Sequence, residues 1–183
     1  VERLLQAYER FAALPWIERI AAQQRVWMLV YEPREERRLR FRIAAFEEAT
    51  LRAGHGWLSC DLTDEFARWM SGQEYRESYF ESPEDLSEDL LDDFAERLAE
   101  TVRAKLSDPG ADGESVVAVY GIGALFGLAR VSRLLDLVAP RVKGRLLLFF
   151  PGERDGASYR LLDARDGWNY LAVPITAQEG GKP

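Results

Sequence analysis

The chain has 183 residues, 47% of them apolar and 30% charged, with a formal net charge of −7. That length suits one domain able to bury its own core without a staple, and the composition excludes a disordered chain. No apolar run approaches the ~20 residues of a membrane helix, the acidic total disfavours a general grip on a phosphate backbone, and the single cysteine, Cys60, rules out an intrachain disulfide.

The start, Val1 to Leu5, lacks a basic region followed by an apolar one, so no secretory leader is expected there. With the lone cysteine this points to a cytoplasmic protein. The basic residues are almost all arginine; only Lys105, Lys143 and Lys182 are lysine. Two readings stand side by side: arginine favours bidentate and stacked contacts at interfaces, and a GC-rich genome produces the same bias.

Leu4, Leu5, Tyr8, Phe11 and Ala12 recur at helical spacing and predict an amphipathic helix over residues 2–13, with Pro15 just past it. Arg25 to Tyr31 is a continuous apolar run of strand formers and reads as a strand buried on both faces. Pro33 opens a helix that runs to about Ala53, with Leu39, Ile43, Phe46 and Thr50 inward and Gly54 as its C-cap glycine. Trp57–Leu62 is a second strand, and Asp64 caps a helix over 65–70.

Residues 71–82 read as a connection carrying Tyr75, Tyr79 and Phe80. A long helix is then predicted from Pro83 to Leu106, with Leu86, Leu90, Phe94, Leu98 and Val102 as its stripe. Residues 107–114 form an exposed loop. Val116–Tyr120 is a strand, Ala124–Val138 a helix, and Arg145–Phe150 a fourth strand. Pro151 to Gly156 reads as a loop, and 159–162 with 169–174 as a hairpin turning at Asp166-Gly167. The tail from Gln178 to Pro183 is expected to fray. Strands alternating with helices predict a single α/β domain over residues 1–177. It is Rossmann-like: a mostly parallel sheet of about four strands, helices on both faces, and a C-terminal antiparallel hairpin at the edge.

Gly121-x-Gly123-x-x-x-Gly127 stands between a strand and a helix, where backbone N–H groups can cradle a phosphate. The spacing departs from GxGxxG and no Lys-Ser/Thr pair follows, so a tight βα turn is the favoured reading and a phosphate cradle the alternative. Glu84, Glu88, Asp92, Glu96 and Glu100 form one acidic helical row, and Asp85, Asp89 and Asp93 a second. They either solvate an outer face or steer a basic partner. Arg34, Arg37, Arg38, Arg40 and Arg42 crowd nine residues, suited to phosphate contact or to pairing with the acidic helix. His55 and Cys60 are the sole residues of their kinds, so a Cys–His dyad is the one nucleophilic pairing available. Asp61, Asp64, Glu153, Asp163 and Asp166 are the carboxylates from which a metal site near a sheet edge could be built. No spacing among them demands one, and no metal or cofactor is expected. Arg160, Asp163, Arg165, Asp166, Trp168 and Asn169 crowd the terminal hairpin: interface hot-spot chemistry on one reading, a turn held by Arg–Asp pairs on the other.

Several phrases together resemble the BrxB family of bacteriophage exclusion (BREX) systems. They are Leu14-Pro15-Trp16, Arg25-Val26-Trp27, Gly54-His55-Gly56-Trp57, Tyr120 through Gly127, Arg130-Val131-Ser132, Phe149 through Glu153, and above all Tyr159 through Pro174. Ala124 stands where the resemblance leads one to expect serine, which takes a hydroxyl from the helix start. The resemblance implies a component of a phage-defence system that works beside a larger PglZ-like protein of the alkaline-phosphatase superfamily and beside other BREX proteins. It supplies no active-site residues.

The expectation is therefore a non-catalytic adaptor or regulatory subunit, without a membrane partner. Arg130, Arg160, Asp163, Arg165, Asp166, Trp168 and Asn169 are its candidate partner-binding residues. Gly121, Gly123 and Gly127 are candidate phosphate-binding residues for the alternative, a nucleotide-binding or hydrolytic subunit. A nucleic-acid-binding accessory using the Arg34–Arg42 helix is the second alternative.

Overall fold

The run Val26–Tyr31 is apolar at every position, and it forms β1 with all six residues buried. A strand with no polar face must lie inside a sheet covered on both sides. The computed structural model, which describes residues 1–164 and 167–177, places it there. β4 (Arg145–Asp155) lies parallel on one side and β7 (Val173–Ile175) parallel on the other. With β2 (Gly56–Asp61) and β3 (Ser115–Tyr120), the parallel order is β2-β3-β4-β1-β7. β5 (Ser158–Leu161) and β6 (Trp168–Asn169) add antiparallel at the far end of β4.

The described sheet has seven strands, not about four. β4 does not stop at Phe150: residues 151–155, expected as a loop, continue the strand because Gly152–Asp155 find antiparallel partners in Ser158–Leu161. Nor is Val173–Ile175 the hairpin's return strand. It crosses to β1, pairing Trp27 with Val173 and Leu29 with Ile175. Pro174 is tolerated there because β7 is an edge strand, with no second neighbour to need its missing N–H.

The described helices are α1 (Glu2–Ala12), α2 (Glu36–Arg40), α3 (Ile43–Arg52), α4 (Glu65–Ser71), α5 (Arg76–Glu81), α6 (Glu88–Leu106) and α7 (Val131–Val138). Alternate strand residues serve opposite faces, as the period of two requires. Trp27, Leu29, Tyr31, Leu147 and Phe149 meet Leu4 and Tyr8 of α1 with Phe46 of α3. Val26, Met28, Val30, Leu146, Leu148 and Phe150 meet Phe94, Leu98 and Val102 of α6 with Leu134 and Leu135 of α7. α1 is pinned to α3 by a buried hydrogen bond between the Tyr8 and Thr50 hydroxyls.

Three long helices predicted from sequence are broken. The first becomes a 3-10 turn (Pro33–Glu35), α2 and α3, with Phe41 at the break and 79% exposed. The second starts as a separate 3-10 turn at Pro83–Asp85, and α6 begins afresh behind Ser87, whose hydroxyl accepts from the Leu90 N–H at 3.2 Å. The third is a 3-10 turn at Ile122–Leu125 followed, after a bend, by α7. The 71–82 connection contains α5. Gly54 does close α3 with a left-handed φ of 88°. No described helix is long and apolar enough to cross a membrane.

Candidate functional site

The sheet's carboxyl edge carries the most elaborate local structure, and the hairpin is its most prominent part. β4 extends past its parallel neighbours and turns back as β5. Gly152 is required at the root of this extension. A Cβ there would collide with the Arg160 carbonyl and lie 2.8 Å from the Phe150 ring, so only glycine lets the two strands approach. Beneath the hairpin, Trp168 packs on Tyr159 (centroids 5.6 Å), Tyr170 (5.7 Å) and Phe150 (6.2 Å). The Tyr159 hydroxyl donates to the Ala172 carbonyl at 3.4 Å. Trp168 is thus half-buried and holds the hairpin from below.

Arg160, cross-strand from Glu153, is ion-paired with it on the outer side. Asp163 and Asn169 are exposed. Arg165 and Asp166, with the proposed turn at Asp166-Gly167 and the tail 178–183, fall wholly or partly outside the described residues. Arg130 is not part of the hairpin. It precedes α7 and lines a groove between α6 and α7 with Glu88, Asp92 and Arg133. Two exposed apolar residues near these elements carry no sequence signal: Leu171, 73% exposed, and Phe126. An isolated leucine or phenylalanine looks the same in sequence whether it points in or out.

The glycine turn lies over the end of β3. Gly121 has φ 85°, and the Thr63 nitrogen and hydroxyl stand 2.6 Å from where a Cβ would be. Thr63 is fixed in turn by Asp61, whose Oδ1 accepts from the Thr63 N–H at 2.9 Å. Gly123 faces Pro151, Gly127 faces open space, and α7 begins only at Val131. Across this edge Arg40 donates to Glu36 at 2.8 Å and to the Thr63 hydroxyl, and Tyr31 donates to Glu36. Burial, then Glu36, holds the Tyr31 hydroxyl far above its ordinary pKa. Burial works to lower the Arg40 pKa, but the bond to Glu36 and the charges of Glu36 and Asp61 outweigh it and raise it.

The arginines of residues 34–42 do not pair with the acidic helix. Arg34 pairs with Glu32 (2.6 Å), Arg38 with Glu2 (3.3 Å) and Glu35 (3.6 Å), Arg40 with Glu36, and Arg42 with Glu2 (3.2 Å). On α6, Asp92 and Glu96 are bound by Arg133 of α7. The Asp92 bond raises the Arg133 pKa.

His55 and Cys60 do not meet. His55 directly precedes β2 and Cys60 lies near its far end, and an extended strand separates residues five apart by roughly 16 Å. Burial pushes the Cys60 thiol up to about 11, which keeps it protonated and inert. His55 instead stacks on Trp16 at 3.7 Å, with Nδ1 3.3 Å from Glu114 Oε2. On the other side the Arg145 guanidinium lies 4.8 Å from Trp16 and 5.7 Å from Trp27. The Leu-Pro-Trp, Arg-Val-Trp and Gly-His-Gly phrases therefore converge at the amino edge of the sheet. Among the described residues, no group of three or more His, Cys, Asp or Glu side chains could hold a metal ion.

A protein-family model described as "BREX protein BrxB" matches residues 60–175, from the end of β2 through the hairpin to β7. No curated protein and no solved structure matches the chain. The matched span covers well over half of the sequence, and the chain belongs to the BrxB family, a component of BREX phage defence.

Proposed function

We propose that this protein is a non-catalytic adaptor or regulatory subunit of its BREX system, and that it binds a larger PglZ-like protein of the alkaline-phosphatase superfamily through the carboxyl-edge hairpin. Family membership makes other BREX components its natural partners. One observation carries the choice of surface. The β4–β5–β6 hairpin projects past the parallel sheet with Arg160, Asp163 and Asn169 exposed, near the exposed Leu171, over a stiff aromatic platform. Interface hot spots combine an apolar anchor, arginine and a polar rim on a surface that needs little ordering to bind. Arg165 and Asp166 belong to the same proposal by sequence position.

The test is co-purification with a PglZ-like protein from the same host. Leu171→Asp, and Arg160→Ala combined with Asn169→Ala, are expected to weaken capture at least about tenfold while circular dichroism and melting temperature hold. These residues are solvent-facing, so the fold tolerates the changes better than it would Trp168→Ala. Capture undiminished in both variants would remove the hairpin from the interface.

A further inference from the structure

Among the described α-helices, α5 alone buries none of its residues. Its main contact is with the 3-10 turn Pro83–Asp85 that follows it. A helix of one or two turns owes its stability to packing, and this one has almost none. Yet its sequence is not that of a solvated link. Tyr75 and Phe80 are 65% and 68% exposed, and Tyr79 is half-buried between them. None of the three rings meets another ring or a guanidinium among the described residues. Single exposed apolar residues are ordinary, but rings gathered on one unpacked helix mark a contact surface.

The ground around the rings sets the charge of what covers them. Residues 74–89 carry seven carboxylates, all exposed, against one cation, Arg76. Arg76 is engaged by the Ser71 carbonyl at 2.8 Å. No described side chain forms an ion pair with any of the seven. Further along α6 the case differs, since Asp92 and Glu96 are bound by Arg133. A second copy turned onto this face would set net −6 against net −6. Nor does the densest arginine run of the chain fit it, because Arg34, Arg38, Arg40 and Arg42 are held by their own glutamates. Nucleic acid and anionic lipid are repelled for the same reason. The occupant must be cationic and able to lie flat on a ring. Guanidinium does both, stacking on aromatic faces while pairing with carboxylates through two hydrogen bonds; ammonium offers only a point charge. We propose that residues 74–89 form a docking surface for an arginine-rich segment of a partner protein. This surface goes beyond the adaptor reading and uses none of the hairpin residues.

Titration of the whole chain with a synthetic peptide tests this, read by fluorescence anisotropy and amide NMR. The peptide has about 14 residues, arginine on one helical face and leucine on the other. Copies with lysine or glutamate in place of arginine are its controls. The arginine peptide is expected to saturate with a dissociation constant below about 100 μM at about 20 mM salt. The lysine copy should bind at least about threefold more weakly, and the glutamate copy not at all. Amide shifts should centre on residues 74–89. Tyr75→Ala with Phe80→Ala should weaken binding about tenfold, and Glu77→Gln with Glu81→Gln should do the same. All four side chains are exposed, so circular dichroism and melting temperature should hold. The proposal is overturned if the arginine peptide does not saturate, or if the shifts map elsewhere. It is equally overturned if the lysine copy binds as tightly, or if the aromatic variant binds like the parent, since diffuse charge would then explain the attraction. Duplex DNA or a second copy of the chain occupying the surface instead would also overturn it. The hairpin stays intact in every variant, so failure here and failure of the adaptor reading are told apart.

Discussion

Arg145 is 5% exposed and has no carboxylate partner among the described residues. Its guanidinium donates to the carbonyls of Gly144 and Ile17 and lies against two indole rings. Burial, and then the nearby Arg25, draw its pKa below the ordinary value. The cation survives because the rings and carbonyls replace water, and because it ties the 14–21 segment to the amino edge of the sheet. Lysine has the charge without the flat fork. Arg145→Lys is therefore expected to destabilise the protein by about 1–3 kcal/mol, read by urea unfolding. A change within error would mean that a point charge suffices there. Tyr170 presents the opposite case. Its hydroxyl is buried and has no hydrogen-bond partner among the described residues. Burial, then Asp136, pushes its pKa up to about 12 from 10.0. The folded state keeps the proton longer than the unfolded state, so this contribution is complete below pH 10 and is lost as the pH rises toward 12. Tyr170→Phe should leave stability at pH 7 unchanged or higher, and should lose about 1 kcal/mol less than the parent on going to pH 11. Equal losses in the two proteins would remove Tyr170 from the alkaline response.

At the scale of elements, α6 is the helix whose surface conflicts with itself. Its two acidic rows place like charges four residues apart, each pair costing ~0.2–0.5 kcal/mol. Asp92 and Glu96 are relieved by Arg133, and Glu96 also by Arg103, whereas no described ion pair reaches Glu88, Asp89 or Asp93. Screening should therefore stabilise the protein: raising NaCl from about 20 to 300 mM is expected to lift the melting temperature by a few degrees. A fall would mean that the surface ion pairs outweigh the repulsion.

The elements themselves were unevenly legible from the sequence. β1, β2, β3 and the start of β4 are short runs rich in strand formers, and such runs have few other ways to be buried. The helix breaks were not visible, because an apolar stripe can be continued on paper through a bend; Phe41 shows the phase slipping, exposed two residues after the buried Leu39. The extended character of Val173 and Pro174 was legible but the partner of β7 was not, since a three-residue parallel pairing with a strand near the other end of the chain leaves no local trace. Of the candidate surface, the hairpin chemistry was readable around Arg160 and Asn169. The displacement of Arg130 into the α6–α7 groove was not, because it follows from where α7 begins.

Across the whole molecule, charge is strongly partitioned. Residues 74–100 hold eleven carboxylates against two arginines, so that stretch carries −9 while the remainder carries +2. The chain's acidity belongs to the stretch that holds α5, α6 and the link between them. The family match, at residues 60–175, spans both this acidic stretch and the hairpin but leaves out α1 and β1. β1 nevertheless lies at the centre of the sheet, flanked by β4 and β7. On the ribosome the order of events is awkward. Val26–Tyr31 emerges early, yet its flanking strands begin only at Arg145 and Val173. At ~5–20 residues per second the nascent polypeptide would carry this greasy, unpaired segment for roughly 6–20 s. Production of the protein in a living cell should therefore depend on holdase chaperones more than its modest size suggests.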